Sequence, residues 1–76
     1  MTKSRENFVR LAEKRTARTL KDIKLLGNLS NRTNYSYTEK DVKRIFGALE
    51  KELKVAKQKF NDEIETGRET VFKLED

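Results

Sequence analysis

The sequence contains no cysteine, no histidine and no proline, and only three glycines. Each absence removes a class of chemistry or of fold. Without cysteine there is no disulfide framework and no thiolate nucleophile or metal ligand. Without histidine the commonest general base and the commonest transition-metal ligand are both missing. With no proline and so few glycines, nothing interrupts a long helix except where a glycine falls. No apolar run approaches membrane-spanning length, and the polar start MTKSREN is not a signal peptide, so a soluble cytoplasmic protein is expected. Hydrophobic residues make up 34% of the chain against 41% charged, and 76 residues allow one small domain with a thin core.

The apolar residues that are present are not scattered. Between Tyr37 and Ile64 they fall at Val42, Ile45, Phe46, Leu49, Leu53, Ala56, Phe60 and Ile64. At 3.6 residues per turn these form one stripe roughly 100° wide, with lysine and glutamate around the rest of the surface. The spacing predicts a long amphipathic helix over 38–62. Thr38 is placed to N-cap it, and Asp41 to accept from the Thr38 backbone N–H in a shortened capping box. Tyr37 can pack on Val42 as a hydrophobic staple.

A first helix is expected over 4–26, with Ser4 as N-cap and Glu6 in the first turn to suit the helix dipole. Phe8, Val9, Ala12, Leu20, Ile23 and Leu26 share a face that Thr16 and Thr19 weaken in its middle; Leu11 and Leu25 fall outside it. Gly27 suits the left-handed position that ends a helix. The connection, residues 27–37, is rich in turn-forming Asn, Ser and Thr. Its three Asn-X-Ser/Thr triplets are turn composition in a chain without a signal peptide. Leu29 and Tyr35 are expected to plug the open end of a hairpin, with Arg32 and the asparagines placed to contact a partner. Beyond Phe60 the apolar spacing continues through Ile64, Gly67, Val71 and Leu74 after one four-residue step. Asn61, Asp62, Thr66 and Gly67 are nevertheless poor helix formers grouped together, so the helix is expected to end between Asn61 and Thr66.

These elements predict an all-α fold. Two long amphipathic helices form an antiparallel hairpin over residues 1–62, followed by a short acidic tail, 63–76. Two helices alone bury little, and the stripe on the second is bulkier than the one facing it. Phe46, Leu49, Leu53, Phe60 and Ile64, with Phe72 and Leu74 of the tail, are therefore interface candidates. A homodimer forming a four-helix bundle would cover them; so would the tail folding back, or a different protein docking there.

The charge is as polarised as the apolar pattern. The net charge is +5, yet residues 1–36 carry nine basic side chains against three acidic, and the last sixteen residues carry two against six. On the first helix Lys3, Arg10, Lys14, Arg18, Lys21 and Lys24 project within roughly 120° of one another, nearly opposite the apolar stripe. Such a face either keeps a small protein in solution or follows a phosphate backbone. Arg10, Lys14, Arg18, Lys21 and Lys24, extended by Arg32 in the loop, are the candidate nucleic-acid contacts. Few side chains there can read base edges, so any binding to DNA or RNA should be sequence-tolerant. Catalysis has little to work with. Asp62, Glu63 and Glu65 form the one tight acidic cluster, without a histidine and without the pattern of a calcium loop, and no glycine-rich phosphate loop occurs. No enzymatic activity, metal or cofactor is expected. The competing function is a protein-interaction module anchored on the apolar edge of the second helix or on the tail.

Over residues 11–60, chiefly at GNLSNRTNYSYT and the DVKRIF that follows shortly after, the chain resembles a group of small uncharacterised proteins of low-GC Gram-positive bacteria and their mobile elements. That resemblance implies a cytoplasmic bacterial or mobile-element setting, and with it an accessory to a DNA transaction or a small inhibitor of a host or rival machine. It carries no functional residue with it.

Overall fold

The computed structural model describes the backbone of residues 2–75 and the side chains of residues 2–66. Among these the chain is all-helical. Helix α1 runs Lys3–Gly27, a single 3₁₀ turn covers Asn28–Ser30, and helix α2 runs Glu39–Glu75. The chain divides into two units, Met1–Ser36 and Tyr37–Asp76, each built around one long helix.

In the first unit, the N-cap of α1 lies two residues before Ser4, and the helix begins at Lys3. Thr2 sits in extended backbone and takes the cap, its hydroxyl accepting from the Arg5 N–H at 3.2 Å. The Glu6 N–H donates to the Thr2 carbonyl at 3.1 Å. Both residues have a cap-forming hydroxyl, and capping at Thr2 lets two more residues join the helix, each adding a backbone hydrogen bond. Glu6 still lies in the first turn, where its charge suits the helix dipole. Thr19, an unfavourable residue in a helix interior, turns its hydroxyl back onto the Arg15 carbonyl at 2.8 Å.

The end of α1 differs from the sequence expectation. Gly27 is not left-handed: its φ of −60° and ψ of −30° are ordinary right-handed helix, and no described residue has positive φ. The helix tightens instead of reversing. The Asn28 N–H reaches the carbonyls of Lys24, Leu25 and Leu26, and the 3₁₀ turn then satisfies end groups that a left-handed cap would have served. Asn31 breaks the run with extended backbone, φ −68° and ψ 103°. It also organises the turn that follows. Its side-chain oxygen accepts from the Thr33 N–H at 2.9 Å, and its carbonyl accepts from Asn34 at 3.2 Å and Tyr35 at 3.0 Å. The Asn31 side chain, expected to be open to a partner, is thus committed to an Asx turn.

In the second unit α2 starts as its sequence indicates. The Asp41 N–H donates to the Thr38 hydroxyl at 3.1 Å, and the Thr38 N–H donates to an Asp41 carboxylate oxygen at 2.9 Å. This is a reciprocal capping box with Asp in place of the usual Glu. The Val42 N–H donates to the Thr38 carbonyl at 3.2 Å, the first bond of the helix. Tyr37 and Val42, the pair expected to staple this end, are both half-buried.

The expected stop between Asn61 and Thr66 does not occur. Helix continues to Glu75, for 37 residues and about 55 Å. Side-chain hydrogen bonds accompany it across the weak segment. The Gln58 amide donates to the Asp62 carboxylate at 2.8 Å, and the Thr66 hydroxyl to the Asp62 carbonyl at 2.8 Å. Each poor helix former there costs less than about 1 kcal/mol, and no proline interrupts the ladder. The Asp62–Glu63–Glu65 cluster lies inside a helix and not at its terminus. The side chains of Phe72 and Leu74, two of the interface candidates, lie outside the described residues.

Neither helix has a buried core among its described side chains. On α1, Val9, Leu11, Ala12 and Leu26 are half-buried, while Phe8, Leu20 and Ile23 are exposed. On α2 the whole stripe from Ile45 to Ile64 is exposed, from 40% at Leu49 to 60% at Leu53. Leu29 and Tyr35, expected to plug a hairpin end, are also exposed.

Candidate nucleic-acid interface

Because α1 is an uninterrupted α-helix, the 100° step per residue holds along its length and the basic residues keep their common side. Lys3, Arg10, Lys14, Arg18, Lys21 and Lys24 are all exposed along about 32 Å of helix. Lys24 in the last turn also complements the helix dipole. Arg32 follows in the Asx turn and is likewise exposed. The structure therefore brings five of the six expected contacts, with Lys3, onto one helix side, and places Arg32 in the turn that closes the same unit.

The face is not purely basic. An open hollow of about 600 Å³ along α1 is lined by Glu6, Val9, Arg10, Glu13 and Lys14. The two glutamates there weaken the positive potential around Arg10, and Asp22, four residues after Arg18, weakens it on the other edge. Leu25, 54% exposed, and the half-buried Leu11 also lie on this side. At the N-terminal end the Arg5 guanidinium stands 5.7 Å from the centroid of the Phe8 ring, a cation–π contact one turn apart. It lies on the apolar side of the helix.

A second basic line, which the charge balance of the two half-chains does not reveal, runs along α2. Lys40, Arg44, Lys51 and Lys54 follow the spacing that keeps residues on one side of a helix, and all four are exposed on α2. The half-chain sum hid them. Residues 39–60 carry seven basic and four acidic side chains, but the six acids of the last sixteen residues bring the second half to −1. Treating charge with the same helical period already used for the apolar residues would have found them.

No group of three or more potential metal ligands converges among the described residues. No helix among the described residues is long and apolar enough to cross a membrane. No protein-family model, curated protein or solved structure matches this chain.

Proposed function

We propose that this chain is a small non-enzymatic binding module that contacts a nucleic-acid phosphate backbone through the basic side of α1. The observation that carries the reading is the exposed row Arg10, Lys14, Arg18, Lys21 and Lys24 along one side of a continuous helix. Lysine and arginine spaced along a rigid rod neutralise successive phosphates and release their condensed counterions, a source of affinity that needs no base contact. Arg32 extends the row. The setting proposed is a bacterial cytoplasm and a mobile-element or other DNA transaction, as for the proteins that residues 11–60 resemble.

In this reading α1 and α2 close as an antiparallel hairpin, and a second copy completes a four-helix bundle. The support is the apolar stripe of α2, whose Phe46, Leu49, Leu53, Phe60 and Ile64 are all exposed within their own unit. These side chains are about half exposed, so leaving the stripe in water forgoes about 1 kcal/mol for each one that could be covered. The same observation favours a second reading, a protein-interaction module that docks a different partner through this edge of α2.

Replacing Lys14, Arg18 and Lys21 together by Glu separates the two. The positions are exposed, so helicity should survive. Retardation of DNA and RNA should be lost about equally for all sequences, because phosphate contacts carry no base information. If the wild-type protein retards neither DNA nor RNA even at low salt, the nucleic-acid reading falls and the apolar edge becomes the functional surface.

A further inference from the structure

From the second basic line we infer a further site, resting on the nucleic-acid reading above: Lys40, Arg44, Lys51 and Lys54 of α2, arranged around the bare backbone of Gly47, form a docking face for the phosphate backbone of a nucleic-acid duplex. Positions 40, 44, 47, 51 and 54 step by four, three, four and three residues, and so share one side of the helix. The side lies opposite the stripe of Leu49, Leu53 and Phe60, and its four cations are exposed along about 21 Å.

Two features of this face work against the helix by itself. Gly47 is a poor residue for a helix interior, and a Cβ built there meets nothing within 4 Å. Among the described residues no packing requires the glycine. Lys40 and Arg44 are four residues apart, and Lys51 and Lys54 three apart, so like charges face each other across a turn. A face serving only solubility would be more stable with alanine at 47 and alternating charges. The neighbouring edge has such a pair in Glu39 and Lys43, and the face itself is offset only at its borders, by Asp41 three residues before Arg44 and Glu50 four before Lys54. Local rules that are broken together at one place mark a function more often than an accident.

An anion would relieve the charge repulsion and make use of the bare backbone at Gly47. A phosphate seated over Gly47 can come closer to the helix than any side chain would allow, with Arg44 on one side and Lys51 on the other, each one turn away. Glu50 borders the face and Gln58 ends it, its amide held by Asp62 at 2.8 Å. Phe46 and Phe60 belong to the opposite stripe, so among the described residues no ring on this face can stack on an unpaired base. That favours the backbone of a duplex over a single strand.

The test is a titration of a short mixed-sequence DNA duplex, followed by fluorescence anisotropy over a range of salt concentrations. Arg44→Gln combined with Lys51→Gln should lower the slope of log affinity against log salt by about 2, one for each lost phosphate contact. Gly47→Ala should raise the thermal midpoint, since the added methyl meets nothing, and yet weaken duplex binding several-fold. An unchanged slope in the double variant, or unchanged affinity in Gly47→Ala, overturns the inference. The Lys14, Arg18, Lys21→Glu variant of α1 in the same titration separates the two faces. Loss of binding there with intact binding in the α2 variants removes the α2 face alone. The reverse result removes the α1 face and leaves this one standing. A wild-type protein that binds no duplex at low salt removes both.

Discussion

Thr38 and Asp41 exchange a pair of hydrogen bonds at the start of α2, and the two bonds are not equivalent in consequence. Thr38→Ala removes the acceptor for the Asp41 N–H, one of the four helix donors that have no partner inside the helix, and should cost about 1 kcal/mol. Asp41→Ala frees the Thr38 N–H, which is exposed and can turn to water, and also removes a negative charge from the first turn. It should cost less, about 0.5 kcal/mol. Urea melts of the two variants check the order; a larger loss for Asp41→Ala would mean that charge, and not the cap, holds this end. At the other helix the corresponding hydroxyl belongs to Thr2, so Ser4→Ala should be close to neutral while Thr2→Ala is not.

At the scale of the element, α2 differs most from a reading based on propensity. Its apolar positions run 42, 46, 49, 53, 56, 60 and 64, alternating four- and three-residue steps until two fours in succession at 56, 60 and 64. A four-residue insertion of this kind locally unwinds a left-handed supercoil, so a partner helix would run straighter past Phe60 than past Leu49. The weak helix formers stand immediately after that point, bridged by the Gln58–Asp62 and Thr66–Asp62 hydrogen bonds. Cα chemical shifts of residues 61–66 should be helical. A return to random-coil values after Asn61 would restore the shorter helix that propensity alone suggests. Asp62→Ala removes the side-chain bond from Gln58 but supplies a better helix former, so its effect on helicity should be small.

For the whole molecule the decisive quantity is how the α2 stripe is covered. Leu49 is 40% exposed and Leu53 60% exposed. If they stay so in solution, truncating either to alanine should change stability by only about 0.5 kcal/mol. In the proposed four-helix bundle both become central, and each truncation should cost about 2–5 kcal/mol. Assembly makes a second demand. The unfolding midpoint must rise with protein concentration, because association stabilises only the folded state. Sedimentation at micromolar concentration together with melts at several concentrations tests this directly, and a monomer with a concentration-independent midpoint would exclude the dimer. Salt adds an independent check on the two functional readings. Binding through Lys14, Arg18 and Lys21 should collapse as salt is raised, whereas docking through the leucine stripe should be little affected.

What could be read from the sequence was whatever depends on residues three or four apart. The Thr38–Asp41 box, the sidedness of α1 and the length of its basic row all follow once a helix exists, because the helical period places those side chains whatever lies elsewhere. The same period, applied to charge over 40–54, would have shown the second basic line. Helix ends were less legible, since several residues compete for each role. Thr2 and Ser4 carry equivalent hydroxyls, and the structure gave the cap to the one that lets more of the chain join the helix. Gly27 permits a left-handed turn without requiring it, and a 3₁₀ turn over Asn28–Ser30 closed α1 instead. At Asn61 to Gly67 four small propensity penalties stood together, and helix continued through them. Propensity is a small local term, while propagation along an unbroken hydrogen-bond ladder is cooperative; where the two disagreed, the ladder decided.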